Sequence, residues 1–196
     1  MSHTFVIVGQ TALASGAFLL DDFPGTSGRL DVLVRSIRAA LLTSHGIRRD
    51  CVVYLVLLGG ERAPRTVRID GACAKFLRPD ERSLATLLSK VLAREDGEGF
   101  TEVKPGVSVA RGGLDLVLGE VRGATPWLLE EGAPDLRGQL SGGDHVFFLG
   151  DHQGFSADAR ALVVAGGARP ITVGPVSLHT EDVVAIVTNE HDRSLA

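Results

Sequence analysis

Aromatic residues make up only 5% of this 196-residue chain, and its cysteines number two, Cys51 and Cys73. With 44% of residues hydrophobic but so few rings, the core must be filled by Leu, Val, Ala and Ile, the usual packing between a buried sheet and its covering helices. Two cysteines without metal-ligand spacing argue against a disulfide scaffold, and both are expected to be buried thiols of a reducing compartment. No stretch reaches the ~20 apolar residues of a membrane span, and the short apolar run in MSHTFVIVGQ lacks the basic segment that precedes a secretory leader. A cytoplasmic protein with no membrane partner is therefore expected. There is neither GxGxxG nor GxxxxGK followed by Ser or Thr, which disfavours a dinucleotide or triphosphate cradled on a helix N-terminus. A GxSxG nucleophile elbow is also missing. With no internal repeat and no long polar linker, one domain over residues 1–196 is expected.

The pattern that is present alternates strands and helices. Thr4 to Gly9 reads as a first strand, and Cys51 to Leu58 as a central strand covered on both faces, because its apolar run is continuous. Between them, Leu30, Leu33, Val34, Ile37, Leu41 and Leu42 recur at helical spacing from Arg29 to Ser44. Thr66 to Asp70 is a shorter strand. Asp80 caps a helix to about Arg94 whose buried stripe is Leu84, Leu87, Leu88, Val91 and Leu92. Val107 to Ala110 suits a short edge strand, whereas Leu114 to Arg122 is ambiguous because Gly119 and Gly123 weaken a helical spacing. Strands at Pro126 to Leu129, Val146 to Leu149 and Ile171 to Val173 follow, with a helix capped by Ser156 and running to about Ala165. A last helix, capped by Thr180, extends through Asn189. The fold class is α/β, with a mainly parallel sheet and helices on both faces.

Two glycine-bearing turns follow strands in the last third: LGDHQGF at Leu149 to Phe155, and VGPVSLHTEDVV at Val173 to Val184. Such turns leave backbone exposed at the carboxyl edge of a sheet, where α/β folds bind small molecules. Asp151, His152 and His179 provide no close histidine pair to start a metal site, so no metal is expected. Ser27, ahead of a helix, serves more simply as a cap than as a nucleophile.

The net charge of −4 opposes a surface that coats nucleic acid throughout, but leaves room for a local basic face. Seventeen of the twenty basic residues are arginine. Arg29, Arg35, Arg38, Arg48 and Arg49 fall in a stretch with Asp31 as its one acid. Arginine binds phosphate bidentately, which suits a polyanion; a solvated helix face with ordinary ion pairs fits equally. Arg29 and Asp31, two apart in a first helical turn, should diverge, and Asp31 can serve either the helix dipole or chemistry.

The run FPGTSGRLDVLVRSIRAALLTSHGIRRDCVVYLVL closely resembles the archaeal family of tRNA pseudouridine-54 N1-methyltransferases, in the SPOUT class of S-adenosylmethionine enzymes. RPDERS, PGVSVARGG, FFLGDHQGF and GPVSLHTEDVVAIVTN fall in the same order with similar spacing, so the resemblance covers nearly the whole chain. It implies a C-terminal deep trefoil knot, an exception to the usual unknotted topology, with the cofactor pocket at roughly residues 125–190, and a homodimer. Leu128, Gly150, Gly174, Leu178 and Val183 match its cofactor loops, and Leu149 adds an apolar wall for an adenine ring. Val183 departs from a family that often has cysteine or serine there, so the contact must come from packing or backbone. Asp31 and Arg29 match the catalytic side, with Asp31 orienting or accepting the N1 proton of pseudouridine. Arg35, His45, Arg48 and Arg49 match positions expected to hold RNA phosphates. The implied reaction is S-adenosylmethionine-dependent methylation of pseudouridine 54 in the tRNA T-loop. Ribosomal-RNA pseudouridine methylation and a non-catalytic RNA-binding or ribosome-assembly role are the alternatives.

Overall fold

The computed structural model describes residues 2–195. Its strands are β1 (His3–Leu13), β2 (Leu42–Thr43), β3 (Gly46–Ile47), β4 (Cys51–Gly59), β5 (Arg65–Asp70), β6 (Thr101–Lys104), β7 (Val107–Arg111), β8 (Thr125–Leu129), β9 (His145–Gly150) and β10 (Arg169–Ile171). The helices are α1 (Phe23–Thr26), α2 (Leu30–Leu41), α3 (Glu81–Leu92), α4 (Leu114–Glu120), α5 (Ala157–Ala165) and α6 (Thr180–Ser194). Eight strands form one sheet in the order β10-β8-β9-β1-β4-β5-β7-β6, and β2 and β3 make a separate small hairpin. β10, β8, β9, β1 and β4 run parallel, while β5, β7 and β6 continue the sheet antiparallel.

Alternation along the central strand decides which residues each helix layer covers. Phe5 and Ile7 of β1 pack with Leu33, Ile37, Leu88 and Val187, so α2, α3 and α6 lie on that face. Val6 and Val8 pack with Val117 and Val163, which places α4 and α5 on the other. Both strands beside β1 are parallel to it, and Val53, Leu55, Val56 and Leu57 of β4 are fully buried. The continuous apolar run thus became a strand covered on both faces. No helix among the described residues is long and apolar enough to cross a membrane.

Several elements depart from the sequence reading for identifiable reasons. β1 runs on to Leu13 through a register shift after Gly9. β6, with the sequence TEVK, was not foreseen because an edge strand with three exposed residues needs no apolar alternation; Val107–Arg111 is therefore inside the sheet rather than at its edge. Leu114–Glu120 resolves as a helix, and a Cβ at Gly119 would meet nothing. β10 begins at Arg169 and stops at Ile171, since Thr172 leaves the sheet to exchange backbone hydrogen bonds with Pro134 and Leu136. Cys73 is exposed in the turn after β5, and only Cys51 is a buried thiol.

At the amino-terminal end of the parallel strands, His3, His145 and His191 are buried together, with His3 and His191 ring centroids 4.3 Å apart. Burial, and then the neighbouring His191, push the His3 imidazole down to about 4. Burial also lowers His145 and His191. Unfolded chains take up these protons near pH 6.5, whereas in the native protein all three are held off to lower pH, His3 to about 4, so stability must fall as pH drops below 6.5. For His3 alone the loss is on the order of 3 kcal/mol. Thermal denaturation should show a Tm declining from pH 6.5 to 4, and His3→Phe should flatten that decline; an unchanged slope would remove His3 from the acid response.

Candidate functional site

The chain segments leaving the carboxyl ends of β8, β9 and β10 enclose a cleft of ≈ 290 Å³, at the small end for ligand sites. β8 and the residues after it supply Leu128, Leu129, Glu130 and Glu131. The turn after β9 supplies Leu149, Gly150, Asp151, Gly154 and Phe155, and the segment after β10 supplies Thr172, Val173, Val176, Ser177 and Leu178. Thr180 and Val183 close it from α6. Five of the six residues expected around a cofactor, Leu128, Leu149, Gly150, Leu178 and Val183, line this one cleft. Gly174 lies on the same segment between Val173 and Val176, its carbonyl accepting from Thr172 Oγ1 at 3.0 Å.

The β9 turn is held by a buried carboxylate. Asp151 Oδ2 accepts from the Gln10 backbone N–H at 2.8 Å, and Oδ1 accepts from Gln153 N–H at 2.8 Å. Gly154 N–H donates to the Asp151 carbonyl at 2.9 Å, closing the turn over Gly150. A Cβ at Gly150 would lie 2.5 Å from Gly154 backbone atoms, so glycine is required there by the turn itself. At Gly174 the same test meets nothing within 4 Å and the backbone needs no left-handed φ, so the protein by itself does not demand glycine. Thr180 also departs from expectation. The cap position is His179, while the Thr180 hydroxyl donates to the Gly150 carbonyl at 2.9 Å and ties α6 to the turn.

The cleft is apolar along Leu128, Leu149 and Val183 and acidic at one end. Glu130, Glu131 and Asp151 stand against a single guanidinium, Arg160, whose Nε and Nη2 donate to Glu130 at 2.6 and 2.9 Å. That bidentate bond holds the Glu130 carboxyl below its ordinary range. Sequence reasoning missed this pair because its members lie thirty residues apart, without a local motif. Val176 and Leu178 remain 66% and 44% exposed at the mouth, apolar surface that a bound ligand or a second chain would cover.

Beside the cleft lies the expected catalytic pair, and its geometry corrects the sequence reading. Gly28 and Arg29 both adopt left-handed backbone, with φ of 65° and 67°, so Arg29 stands outside the helix and turns back on Asp31. Instead of diverging, the side chains form a fork, Arg29 Nε to Oδ1 at 3.0 Å and Nη2 to Oδ2 at 3.2 Å. Left-handed backbone at a non-glycine residue costs on the order of 1 kcal/mol or more and persists only where surroundings impose it. Ser27 is not the cap expected of it: Arg29 holds the cap position of α2 and Ser27 closes α1, although Ser27 Oγ still accepts from Leu30 N–H at 3.1 Å. Arg35 completes the cluster, donating to Asp31 at 2.8 Å and to Glu181 of α6 at 2.6 Å. Burial alone would raise the Asp31 carboxyl, but hydrogen bonds and charge from Arg29 and Arg35 outweigh it and hold it below the usual carboxylate range.

The other basic residues are dispersed. Arg48 makes a bidentate bond to Asp192 at 2.7 and 2.9 Å, and Arg49 donates to the carbonyls of Gly71 and Ala74 at 2.9 and 3.0 Å. His45 is exposed at the tip of the β2–β3 hairpin. Most of the arginine-rich stretch is thus engaged within the protein. Among the described residues, the His, Cys, Asp and Glu side chains close enough to hold a cation are His3, Asp50 and His191, away from the cleft.

A family model described as "Putative SAM-dependent RNA methyltransferase" matches residues 1–196. The chain is 40% identical over 192 residues to the tRNA (pseudouridine(54)-N(1))-methyltransferase of Methanosarcina acetivorans, covering 97% of this chain and 91% of that one. To the protein of the same name from Halobacterium salinarum it is 39% identical over 191 residues, with 96% and 95% covered. The crystal structure of Archaeoglobus fulgidus Nep1 bound to S-adenosylhomocysteine matches with a TM-score of 0.69 at 16% identity, covering 100% of this chain and 99% of that one. At that identity the likeness shows a shared fold.

The two glycines should separate by their different surroundings. Gly150→Val should destabilise the protein by about 1–3 kcal/mol, the cost of overpacking against Gly154, and Gly174→Val by less than about 0.5 kcal/mol. Thermal denaturation measures both, and equal losses would mean that the 174 segment is packed more tightly than its geometry indicates.

Proposed function

The chain belongs to the family of SAM-dependent RNA methyltransferases, and on that premise we propose that it transfers a methyl group from S-adenosylmethionine to N1 of pseudouridine 54 in the tRNA T-loop. The observation that carries this reading is the convergence of the three loop segments on one cleft, with the Arg29–Asp31 fork joined to it through Arg35 and Glu181. Full-length relatives bearing that activity in their names support the substrate.

The cleft suits the methyl donor on its own chemistry. Leu128, Leu149, Leu178 and Val183 offer apolar walls for an adenine ring, and the open space above Gly174 admits a ligand close to the backbone. Glu131 suits a ligand with cationic sulfonium and ammonium groups, while Glu130 and Asp151 are held by Arg160 and by backbone N–H groups. Bound there, S-adenosylmethionine would supply an electrophilic methyl carbon to N1, with S-adenosylhomocysteine as the leaving group and solvent water taking the N1 proton. Most of the rate then comes from holding acceptor and donor in line.

Asp31 is 3% exposed at its side chain and both its oxygens accept from guanidinium groups, so it is poorly placed to receive the N1 proton itself. Its role in this reading is to position Arg29, whose half-exposed side chain faces the substrate beside the cleft. Arg35 acts between α2 and α6, and His45, Arg48 and Arg49 border the RNA path. The fold is of the SPOUT type, and in this reading a trefoil knot forms where Thr172 pairs alongside Pro134 and Leu136, between the β8–β9 loop and the segment leading to α6. A homodimer covering Val176 and Leu178, acting in the cytoplasm as one domain, completes the proposal.

Labelled methyl transfer to matched T-loop RNAs carrying pseudouridine or uridine at position 54, read by nucleoside mass spectrometry, should give N1-methylpseudouridine from the first and nothing from the second. Product from neither would overturn the assignment. Asp31→Asn should lower kcat by about 100-fold through misplacement of Arg29 while leaving methyl-donor affinity unchanged. Undiminished turnover would take Asp31 out of the mechanism.

A further inference from the structure

The arginine-rich stretch spends most of its charge internally, with Arg38 its exposed exception, and a cluster of uncommitted cations lies elsewhere. The only lysines in the chain are Lys75, Lys90 and Lys104. All three, with Arg78, line one groove of ≈ 440 Å³ formed by the loop after β5, one side of α3 and the end of β6. None of these four side chains makes a hydrogen bond or ion pair among the described residues, and all four residues are exposed. The groove's fifth cation, Arg82, pairs with Asp21 at 2.9 Å between two well-exposed side chains. Its one lining acid, Asp80, is occupied in capping α3 by accepting from Ser83 N–H at 2.8 Å.

In the middle of these cations stands Phe76, 94% exposed and left-handed at φ 58°. A phenylalanine held outward on such backbone differs from an apolar residue scattered on a surface, because the flanking chain is anchored. Ala74 is fully buried, its N–H donating to the Asp70 carbonyl at 2.8 Å and its carbonyl accepting from Arg49 at 3.0 Å. Gly106, in the β6–β7 turn, packs so closely that a Cβ there would lie 2.3 Å from Ala74 N. Leu77 packs partly into the core on the other side of Phe76.

We propose that this surface is a second RNA contact, with Phe76 stacking on an unpaired base and Lys75, Arg78, Lys90 and Lys104 meeting the phosphates around it. An aromatic platform ringed by uncommitted cations is the chemistry of single-stranded nucleic acid recognition. The inference rests on the tRNA methyltransferase reading for its partner and extends it in place. The loop after β5 and β6 lie in the half of the sheet away from β8, β9 and β10, while α3 reaches back toward the cleft through Glu81, 3.7 Å from the Arg35 that bonds Glu181. In this proposal the bound base belongs to a part of the tRNA outside the methylated loop. In this arrangement Arg49 acts by holding the loop that presents Phe76.

Phe76→Ala and the double variant Lys75→Glu/Lys104→Glu test the proposal by fluorescence anisotropy with whole unmodified tRNA and with the isolated T-arm hairpin, without methyl donor. Each variant should bind whole tRNA about tenfold more weakly, with the hairpin affinity unchanged. The charge variant should also reduce the slope of log affinity against log salt by about one for each phosphate that the protein no longer neutralises. Parental affinity for whole tRNA in both variants, with parental Tm, would overturn the proposal. So would an equal loss on the hairpin, which would place the surface against the methylated loop, or binding only to anionic vesicles. Because the readout is binding, loss of tRNA affinity in a chain that transfers no methyl would leave this RNA surface standing and bring down only the catalytic reading.

Discussion

Arg35 is shared among three acids on three helices, hydrogen-bonded to Asp31 and Glu181 and 3.7 Å from Glu81 of α3, and the site is organised around that sharing. Its Nη1 reaches Asp31 one turn before it on α2, while Nε reaches Glu181 in the first turn of α6. α2 follows the first strand and α6 ends the chain, so one guanidinium joins the ends of the fold. On the α2 side, Asp31 uses both oxygens to fork Arg29 and hold it in left-handed backbone. On the α6 side, the adjacent Thr180 fastens the helix to the Gly150 carbonyl in the cleft. The planar fork of arginine can serve two carboxylates in fixed directions, which a lysine ammonium cannot reproduce. Displacement of Arg35 would thus disturb Arg29 and the cleft together.

Charge in this protein is divided between cations that hold the structure and cations that remain available. Arg65 is fully buried, donating to the carbonyls of Ala14, Leu92 and Arg94, and so fastens the end of α3 to the sheet. Arg48, Arg49 and Arg160 similarly bind acids or carbonyls. Such bonds suit guanidinium, whose charge persists under burial and whose donors can satisfy several acceptors. The lysines, compact and strongly hydrated, remain on the surface. A net charge of −4 conceals this division, because it counts a committed arginine and a free lysine alike.

Much of the fold was legible because its periodicities are long and local. The stripe Leu84, Leu87, Leu88, Val91 and Leu92 is buried as helical spacing requires, and the apolar run from Cys51 is central in the sheet. The glycine turns drew attention to the right edge of the sheet, since a strand ending in glycine exposes backbone there. Less legible were elements whose conformation is settled by distant partners. β6 has no apolar alternation and exists by pairing with β7. Thr180 has the chemistry of a cap, yet its hydroxyl is drawn to Gly150, thirty residues away.

The sequence by itself determined the α/β class, the two-sided burial of the central strands and the family, through hydrophobic period and motifs whose order survives in one dimension. Only the tertiary structure decided which charges are spent and which are free. It turned Arg29 back onto Asp31, occupied Arg48 and Arg49 within the fold, and left Phe76 exposed among lysines drawn from three separate segments. The physical reason is that periodicity reports where a side chain lies on its own helix or strand. Ion pairing depends on which elements meet, and that is settled by the packing of segments far apart in the chain.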